Sequence, residues 1–138
     1  MALDRGQIRK ILEDARTIAV VGLSPNPHRP SHEVASYLQT AGYRIVPVRP
    51  GVASVLGEPA WPDLQSALRA GPIDIVDVFR RSEFVAALAD DLLAVRPRLV
   101  WLQVGVRDPD TAARLEAAGI PVVMDRCLMV EHHSLTHS

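Results

Sequence analysis

The chain has 138 residues, 48% of them hydrophobic, and a formal net charge of −1 at pH 7. This length and apolar content predict a single domain over residues 1–138 with one core. The near-neutral charge excludes a general electrostatic attraction to nucleic acid or to an acidic membrane. One cysteine excludes an internal disulfide, and the charged segment Met1–Ile11 is unlike a signal peptide. No apolar run is long enough to span a membrane, so we expect a cytoplasmic protein.

The first predicted elements are a helix and a buried strand. Apolar side chains at helical spacing predict an amphipathic leading helix over Leu3–Ala15. Thr17–Val21 is a β-branched run that stops at Gly22, which is typical of a buried parallel strand. A polar, proline-rich loop then leads to Ser31, which we predict to be the N-cap of a helix that ends near Ala41.

Strand-like and helix-like segments alternate through the rest of the chain. The predicted strands are Tyr43–Val48, Ile73–Phe79, Leu99–Val104 and Ile120–Met124, with a loop and an edge strand over Val52–Pro59. The predicted helices are Asp63–Leu68, Ser82–Val95 with Ser82 as N-cap, Asp108–Gly119 and Leu128–His133, and the tail Glu131–Ser138 is predicted to fray. This alternation predicts an α/β fold with right-handed crossovers and one parallel sheet of about five strands.

The loop after the first strand could bind a phosphate. A strand, a tight loop and a helix N-terminus present backbone N–H groups and the positive end of a helix dipole. Of the dinucleotide fingerprint G-x-G-x-x-G only Gly22 is present, and no Gly-Lys-Ser/Thr follows. Because three prolines remove amide donors, nearby side chains would have to help hold the phosphate. The candidates are Ser24, Asn26, Arg29 and Ser31. A purely structural turn explains a lone glycine equally well.

The carboxyl ends of parallel strands meet at one edge of the sheet, where ligands bind. Four of the five predicted ends carry arginine, and we expect a rim that suits an anion with more than one phosphate. The alternative is that some arginines pair with Asp77, Glu83 or Asp125. The candidate site residues are Gly22, Ser24, Pro25, Asn26, Arg29, Ser31, Pro47, Val48, Arg49, Phe79, Arg80, Arg81, Gln103, Gly105, Arg126 and Cys127.

Five segments, in order along the chain, carry a resemblance to a known family. They are Ile18–Ser31, Gly42–Pro50, Asp74–Arg81, Val100–Gly105 and Val122–Cys127. Together they resemble the CoA-binding domain family of small bacterial proteins, which is similar to the N-terminal domain of the succinyl-CoA synthetase alpha subunit. The resemblance covers the chain from about Thr17 to Glu131 and implies a Rossmann-like, three-layer α/β fold with helices on both faces of the sheet.

The resemblance also implies a ligand. The first loop and the end of the second strand would hold the ADP portion of coenzyme A or acyl-CoA. Family members usually have Pro-Val-Asn-Pro where this chain has Pro47-Val48-Arg49-Pro50, so Arg49 adds a charge at the predicted contact. Phe79 could either pack in the core or contact the adenine or the pantetheine arm, whereas Trp101 is predicted to be core.

We expect a binding protein without catalytic residues of its own. In the synthetases the phosphorylated histidine lies in a second domain, and this chain ends before one. The spacings of His28 with His32 and of His133 with His137 do not predict a metal site. Two alternatives stay open: an NADP-binding redox or sensor module in which Arg49 holds the 2′-phosphate, and a detached CoA-binding subunit of an acyl-CoA synthetase.

Cys127 has two interpretations. It could be a small, inert, buried side chain. Alternatively, Arg126 and a following helix N-terminus would favour its thiolate, which could form a mixed disulfide with a CoA thiol under oxidising conditions.

Overall fold

The alternating pattern folds into one five-stranded parallel sheet and a separate two-stranded hairpin. The computed structural model describes residues 3–137. The strands are β1 (Thr17–Val21), β2 (Arg44–Val48), β3 (Ser54–Val55), β4 (Glu58–Pro59), β5 (Ile75–Val78), β6 (Leu99–Leu102) and β7 (Val122–Val123). The α-helices are α1 (Arg5–Asp14), α2 (Pro30–Thr40), α3 (Leu64–Ala67), α4 (Ala89–Val95), α5 (Pro109–Ala117) and α6 (Leu128–Thr136).

The strand order in the main sheet is β2-β1-β5-β6-β7, and all neighbours are parallel. The chain therefore moves outward from β1 to β2, crosses back over β1, and continues outward through β5, β6 and β7. The switch point lies between β1 and β5, where Val21 is in register with both Val48 and Val78. In sheets of this kind the loops on the two sides of the switch point diverge and leave a crevice.

Helices cover both faces of the sheet, which confirms the predicted three-layer, Rossmann-like α/β fold. Alternate residues of each buried strand point to opposite faces. Ile18 and Val20 pack with α1, α2 and α6, whereas Ala19 and Val21 pack with α3, α4 and α5. Trp101 is fully buried in the first of these layers, as predicted.

Three helix N-termini follow side-chain rules that the sequence shows directly. Asp63 and Asp108 cap α3 and α5 by accepting hydrogen bonds from backbone N–H groups three residues ahead. Asp4 caps α1 and forms a reciprocal capping box with Gln7. Each cap satisfies an amide that would otherwise lack a partner in the first turn.

Two predicted caps are wrong. The N-cap of α2 is Arg29, because Pro30 takes the first helical position and leaves Ser31 one residue inside the helix. Ser82 caps no α-helix, because two 3₁₀ turns, Ser82–Phe84 and Ala86–Leu88, precede α4. The Ser82 hydroxyl instead accepts from the Arg107 amide and donates to the Gly105 carbonyl.

The C-terminal helix is longer than predicted. Helix α6 continues to Thr136, and both His132 and Leu135 are buried. His132 Nδ1 and the Tyr37 hydroxyl share a 2.8 Å hydrogen bond that joins α6 to α2. The predicted helix end near His133 is therefore three residues too early. The fraying expected from Glu131 onward stays a prediction, and its last residue, Ser138, lies outside the described residues.

Two further observations complete the fold. The predicted loop with an edge strand is a small antiparallel hairpin of β3 with β4, and just after it Trp61 forms a single parallel bridge with Val48 of β2. None of the helices in residues 3–137 is long and apolar enough to cross a membrane.

Candidate ligand-binding cavity

A cavity of about 560 Å³ opens at the carboxyl ends of the parallel strands, at the switch point. It is lined by Gly22, Ser24, Arg29, Pro30, Ser31, Val34, Arg49, Phe79, Arg80, Arg81, Gln103, Val104, Gly105, Val106 and Cys127. These residues come from the loops after β1, β2, β5, β6 and β7, so the topology brings together parts of the chain that are far apart in sequence.

Gly22 is required by the fold itself. Its φ is +84°, and a Cβ atom at this position would lie 2.3 Å from the carbonyl oxygen of Phe79. This contact lies within the fold, so the glycine is needed here before any ligand is considered. Any side chain at Gly22 would push the ends of β1 and β5 apart.

The first loop uses its own polar side chains to fix its shape. The Ser31 hydroxyl accepts from the Ser24 amide at 3.0 Å, and the Ser24 hydroxyl accepts from the Asn26 amide at 3.1 Å. The Asn26 side chain in turn accepts from the His28 amide at 3.0 Å. These hydroxyl and carboxamide oxygens therefore shape the loop before they hold any ligand.

One backbone amide of the cavity lining in this loop remains for a ligand. Within residues 3–137, the amide of Ser31 forms no hydrogen bond, and Ser31 lines the cavity. Ser31 lies in the first turn of α2, so its N–H group is at the positive end of the helix dipole. The loop thus offers few amides, as its prolines predicted.

One end of the cavity is cationic. A subsite of about 320 Å³ is lined by Gly22, Arg29, Arg49, Pro50, Phe79 and Arg80. Within the described part of the chain, Arg29, Arg49 and Arg80 form no ion pair, and the buried Nε of Arg80 has no hydrogen-bond partner. Arg49 is positioned by its own backbone, whose N–H donates to the Trp61 carbonyl at 2.8 Å.

The other end of the cavity is less polar. Val104, Val106 and the half-buried Cys127 line it, with Arg81 as its charged residue. The Gly105 amide is already bound to the Asp125 carboxylate at 2.7 Å, so this N–H is not free for a ligand. Cys127 is the N-cap residue of α6, but its side chain makes no capping hydrogen bond.

Eleven of the sixteen candidate residues line this cavity, and five do not. Pro25 and Asn26 are exposed in the first loop, and Pro47 and Val48 are buried within β2. Arg126 is also outside, where it lies 3.7 Å from Glu131. The cavity lining therefore brings together Arg29, Arg49, Arg80 and Arg81 and does not include Arg126.

Sequence reasoning missed one buried polar pair below the cavity. Asp77 lies inside β5 with no exposed surface, and its Oδ1 accepts a 2.7 Å hydrogen bond from Gln103 Nε2. Burial raises the pKa of Asp77 to about 7, and the Gln103 hydrogen bond opposes that rise only in part. The available signal was an acidic residue within an otherwise apolar strand.

Other lining residues were missed as well. Pro30, Val34, Val104 and Val106 also line the cavity, and each lies next to a predicted strand end or in the helix that follows it. Their apolar character indicated core rather than a site, because hydropathy does not distinguish a cavity wall from a packed interior.

Comparison with known proteins identifies the family. A sequence model described as the CoA binding domain matches residues 16–133. The chain belongs to the CoA-binding domain family. The uncharacterized protein YneT of Bacillus subtilis (strain 168) is 41% identical to this CoA-binding domain over 128 residues, which are 93% of each chain.

Solved structures agree with this assignment. A Thermus thermophilus structure is 44% identical to the present CoA-binding domain, with a TM-score of 0.92 over 96% of this chain and 99% of that one. A dinucleotide-forming acetyl-coenzyme A synthetase 1 from Ca. Korarchaeum cryptofilum is 18% identical, with a TM-score of 0.68 over 78% of this chain and 25% of that one. The second likeness shows the fold alone.

Proposed function

We propose that this protein binds coenzyme A or acyl-CoA, with the phosphates of the ADP portion at the cationic end of the cavity and the pantetheine arm toward the less polar end. The observation that carries the proposal is the division of a single cavity into these two ends. Coenzyme A has the same division, because a multiply charged nucleotide is joined to a long uncharged arm.

The cationic end suits phosphates for two reasons. Guanidinium groups form short, charge-assisted and often bidentate hydrogen bonds with phosphate oxygens. Arg29 and Arg49 line the same subsite from two different loops. In the wider cavity the Ser31 amide offers a further donor at a helix N-terminus. Arg80 contributes a third guanidinium from the end of β5.

The second part of the proposal is that binding is not coupled to catalysis in this chain. Within residues 3–137 no group of three or more His, Cys, Asp or Glu side chains is placed to hold a metal. The cavity lining contains no histidine and no carboxylate, so it offers no evident general base. The ligand-binding residues we propose are the eleven candidates that line the cavity.

Isothermal titration of the purified protein with CoA, acetyl-CoA, NADPH and ADP tests this proposal. We expect CoA and acetyl-CoA to bind similarly, because the acyl group lies beyond the groups that are recognised. ADP should bind more weakly than CoA, since it lacks the arm. Tighter binding of NADPH than of CoA would contradict the proposal and favour the redox alternative.

A second experiment separates a free-standing binding protein from a detached synthetase subunit. The tagged protein is purified from its native cells in the presence and absence of CoA. Stoichiometric recovery of a separate chain with acyl-CoA synthetase activity would favour the subunit, whereas recovery of the protein alone with bound CoA supports our proposal.

A further inference from the structure

Asp77 is an ionisable residue that lies below the cavity and is not part of its cationic end. It is fully buried in the middle of β5, in register with Val20 of β1 and Trp101 of β6. In the described part of the chain Asp77 forms no ion pair, and its Oδ2 atom has no hydrogen-bond partner. A fully buried carboxyl group with no ion pair and a single hydrogen-bond partner is unfavourable for folding.

That partner is Gln103, which connects Asp77 to the cavity. Gln103 follows β6, is nearly fully buried, and lines the cavity. Its Nε2 donates to Asp77 Oδ1 at 2.7 Å, and this oxygen can accept whether the carboxyl group is ionised or neutral, so the nitrogen end of the amide faces Asp77. The orientation of the Gln103 amide therefore follows from the chemistry of Asp77.

The oxygen end of the same amide is left for a ligand. Within residues 3–137 Gln103 Oε1 accepts no hydrogen bond. The fully buried side-chain atoms without a partner in this part of the chain are Trp61 Nε1, Asp77 Oδ2 and Arg80 Nε, so Gln103 Oε1 is not fully buried. This oxygen is therefore accessible from the cavity. It offers an acceptor, which an N–H group of a ligand would satisfy.

The position of Gln103 indicates which part of a ligand reaches it. Gln103 does not line the cationic subsite of Arg29, Arg49 and Arg80. Its cavity neighbours along the chain are Val104 and Gly105. An uncharged ligand segment with an N–H donor fits here, and the pantetheine arm of CoA carries two amides.

We propose that Asp77 is a positioning residue: it holds the Gln103 side chain with Oε1 toward the cavity, so that the site selects a ligand with an amide N–H in its uncharged arm. This inference rests on the proposed binding of CoA. Asp77 itself touches no ligand, and its effect on recognition passes entirely through Gln103.

The orientation of Gln103 can be tested without any ligand. Solvent exchange of its ¹⁵N-labelled side-chain amide is measured by NMR in the wild type, in Asp77→Leu and in Asp77→Asn. Leucine has the same branched arrangement of side-chain heavy atoms in a larger volume and no acceptor, whereas asparagine keeps an acceptor oxygen. We expect slow exchange in the wild type and in Asp77→Asn, and fast exchange in Asp77→Leu. Equal exchange in the wild type and Asp77→Leu would overturn the proposal.

The effect on recognition is measured by titration with CoA and with ADP, which lacks the arm. Asp77→Leu should bind CoA about tenfold more weakly and bind ADP as the wild type does, whereas Asp77→Asn should retain most of the CoA affinity. The double variant Asp77→Leu/Gln103→Ala should bind CoA no more weakly than Gln103→Ala alone.

The outcomes separate this inference from the proposed function. Equal losses for CoA and ADP in Asp77→Leu, or additive losses in the double variant, would mean a structural role and would overturn it. A wild type that does not bind CoA would refute the proposed function and the selection of an amide ligand, while the exchange measurement would still decide whether Asp77 orients Gln103.

Discussion

Guanidinium groups without acidic partners gather at the cavity. Some arginines elsewhere are paired, as Arg107 is with Asp125 and Arg114 with Asp90. At the cavity Arg29 and Arg49 have no such partner within the described residues. Unpaired cations that face one subsite repel each other, and a bound polyanion would relieve that repulsion.

Replacement of Arg49 by alanine should weaken CoA binding. Loss of a charge-assisted hydrogen bond costs about 1.5–3 kcal/mol, or roughly 10–100-fold in affinity. Titration calorimetry measures the loss, and the exposed Arg69, which lies outside the cavity, provides the control Arg69→Ala. If the 3′-phosphate is the partner of Arg49, the loss is smaller for dephospho-CoA. Wild-type affinity in Arg49→Ala would remove this residue from the site.

Bound CoA should protect Cys127 from alkylation. Cys127 is the only cysteine and lines the less polar end of the cavity, where we place the pantetheine arm. The rate of modification by iodoacetamide, followed by intact-mass spectrometry, should fall several-fold at saturating CoA and change little with ADP. Cys127→Ser confirms the site of labelling. An unchanged rate at saturating CoA would place the arm elsewhere.

Asp77 should make stability depend on pH. Its pKa is about 7 in the folded protein and near 3.8 for an exposed aspartate. Between these values the folded state binds more protons than the unfolded state, so the free energy of unfolding falls as pH rises, by about 1.4 kcal/mol per pH unit.

Urea unfolding of wild type and Asp77→Asn between about pH 4 and pH 7 measures this slope. The difference between the two proteins should shift with pH in the direction just given. The same comparison with Glu83→Gln, a change at an exposed carboxylate, should show no such shift. A pH-independent difference for Asp77→Asn would mean that Asp77 is ionised throughout.

Helix α6 connects the C-terminal segment to the core. Leu128 and Leu135 are buried, and His132 bonds to Tyr37 and also contacts the Tyr43 ring edge-on. Burial lowers the pKa of His132, which favours the neutral ring in this contact. The C-terminal end of α6 is thus packed against the core. This packing also fixes the position of Cys127, the N-cap residue of α6, in the cavity wall.

Leu135→Ala should destabilise the protein by about 2–5 kcal/mol, since the substitution leaves a hole in a buried position. Val130→Ala on the same helix is the matched control, because Val130 is 59% exposed and should change stability by less than about 0.5 kcal/mol. Denaturant unfolding measures both. Equal, small effects would show that the end of α6 is frayed after all.

The topology of the molecule explains why the cavity needs the whole chain. Residues from the loops after β1 and β5 meet only because β5 crosses back to lie beside β1. The contact between Gly22 and the Phe79 carbonyl closes this junction. Binding of CoA therefore requires the complete sheet and should be linked to global folding.

Saturating CoA should raise the thermal midpoint. At a free concentration 100 times Kd, linkage adds about 2.7 kcal/mol to the free energy of unfolding, provided that the unfolded chain does not bind. Differential scanning fluorimetry at increasing CoA concentrations measures the shift, which should become smaller at high salt because phosphate contacts are screened. No shift under conditions where calorimetry detects binding would mean that the ligand also binds the unfolded chain.

Local patterns were sufficient for most of the elements. Runs such as Thr17–Val21, the caps Asp63 and Asp108, and the helix stop at Gly119 act over a few residues, so they can be read without the fold. The rule that parallel strand ends share one edge also brought eleven of the candidate residues to the cavity, because topology of this class constrains where strand ends lie.

Other features depend on contacts between distant parts of the chain. The order of α6 depends on Tyr37, the need for glycine at position 22 depends on Phe79, and the pairing of Asp77 with Gln103 spans two strands. Each of these contacts joins segments that lie far apart along the chain, and local propensity carries no information about such partners. Whether an arginine lines the cavity, as Arg49 does, or lies beside an acidic neighbour, as Arg126 does, was decided only when the tertiary structure placed its surroundings.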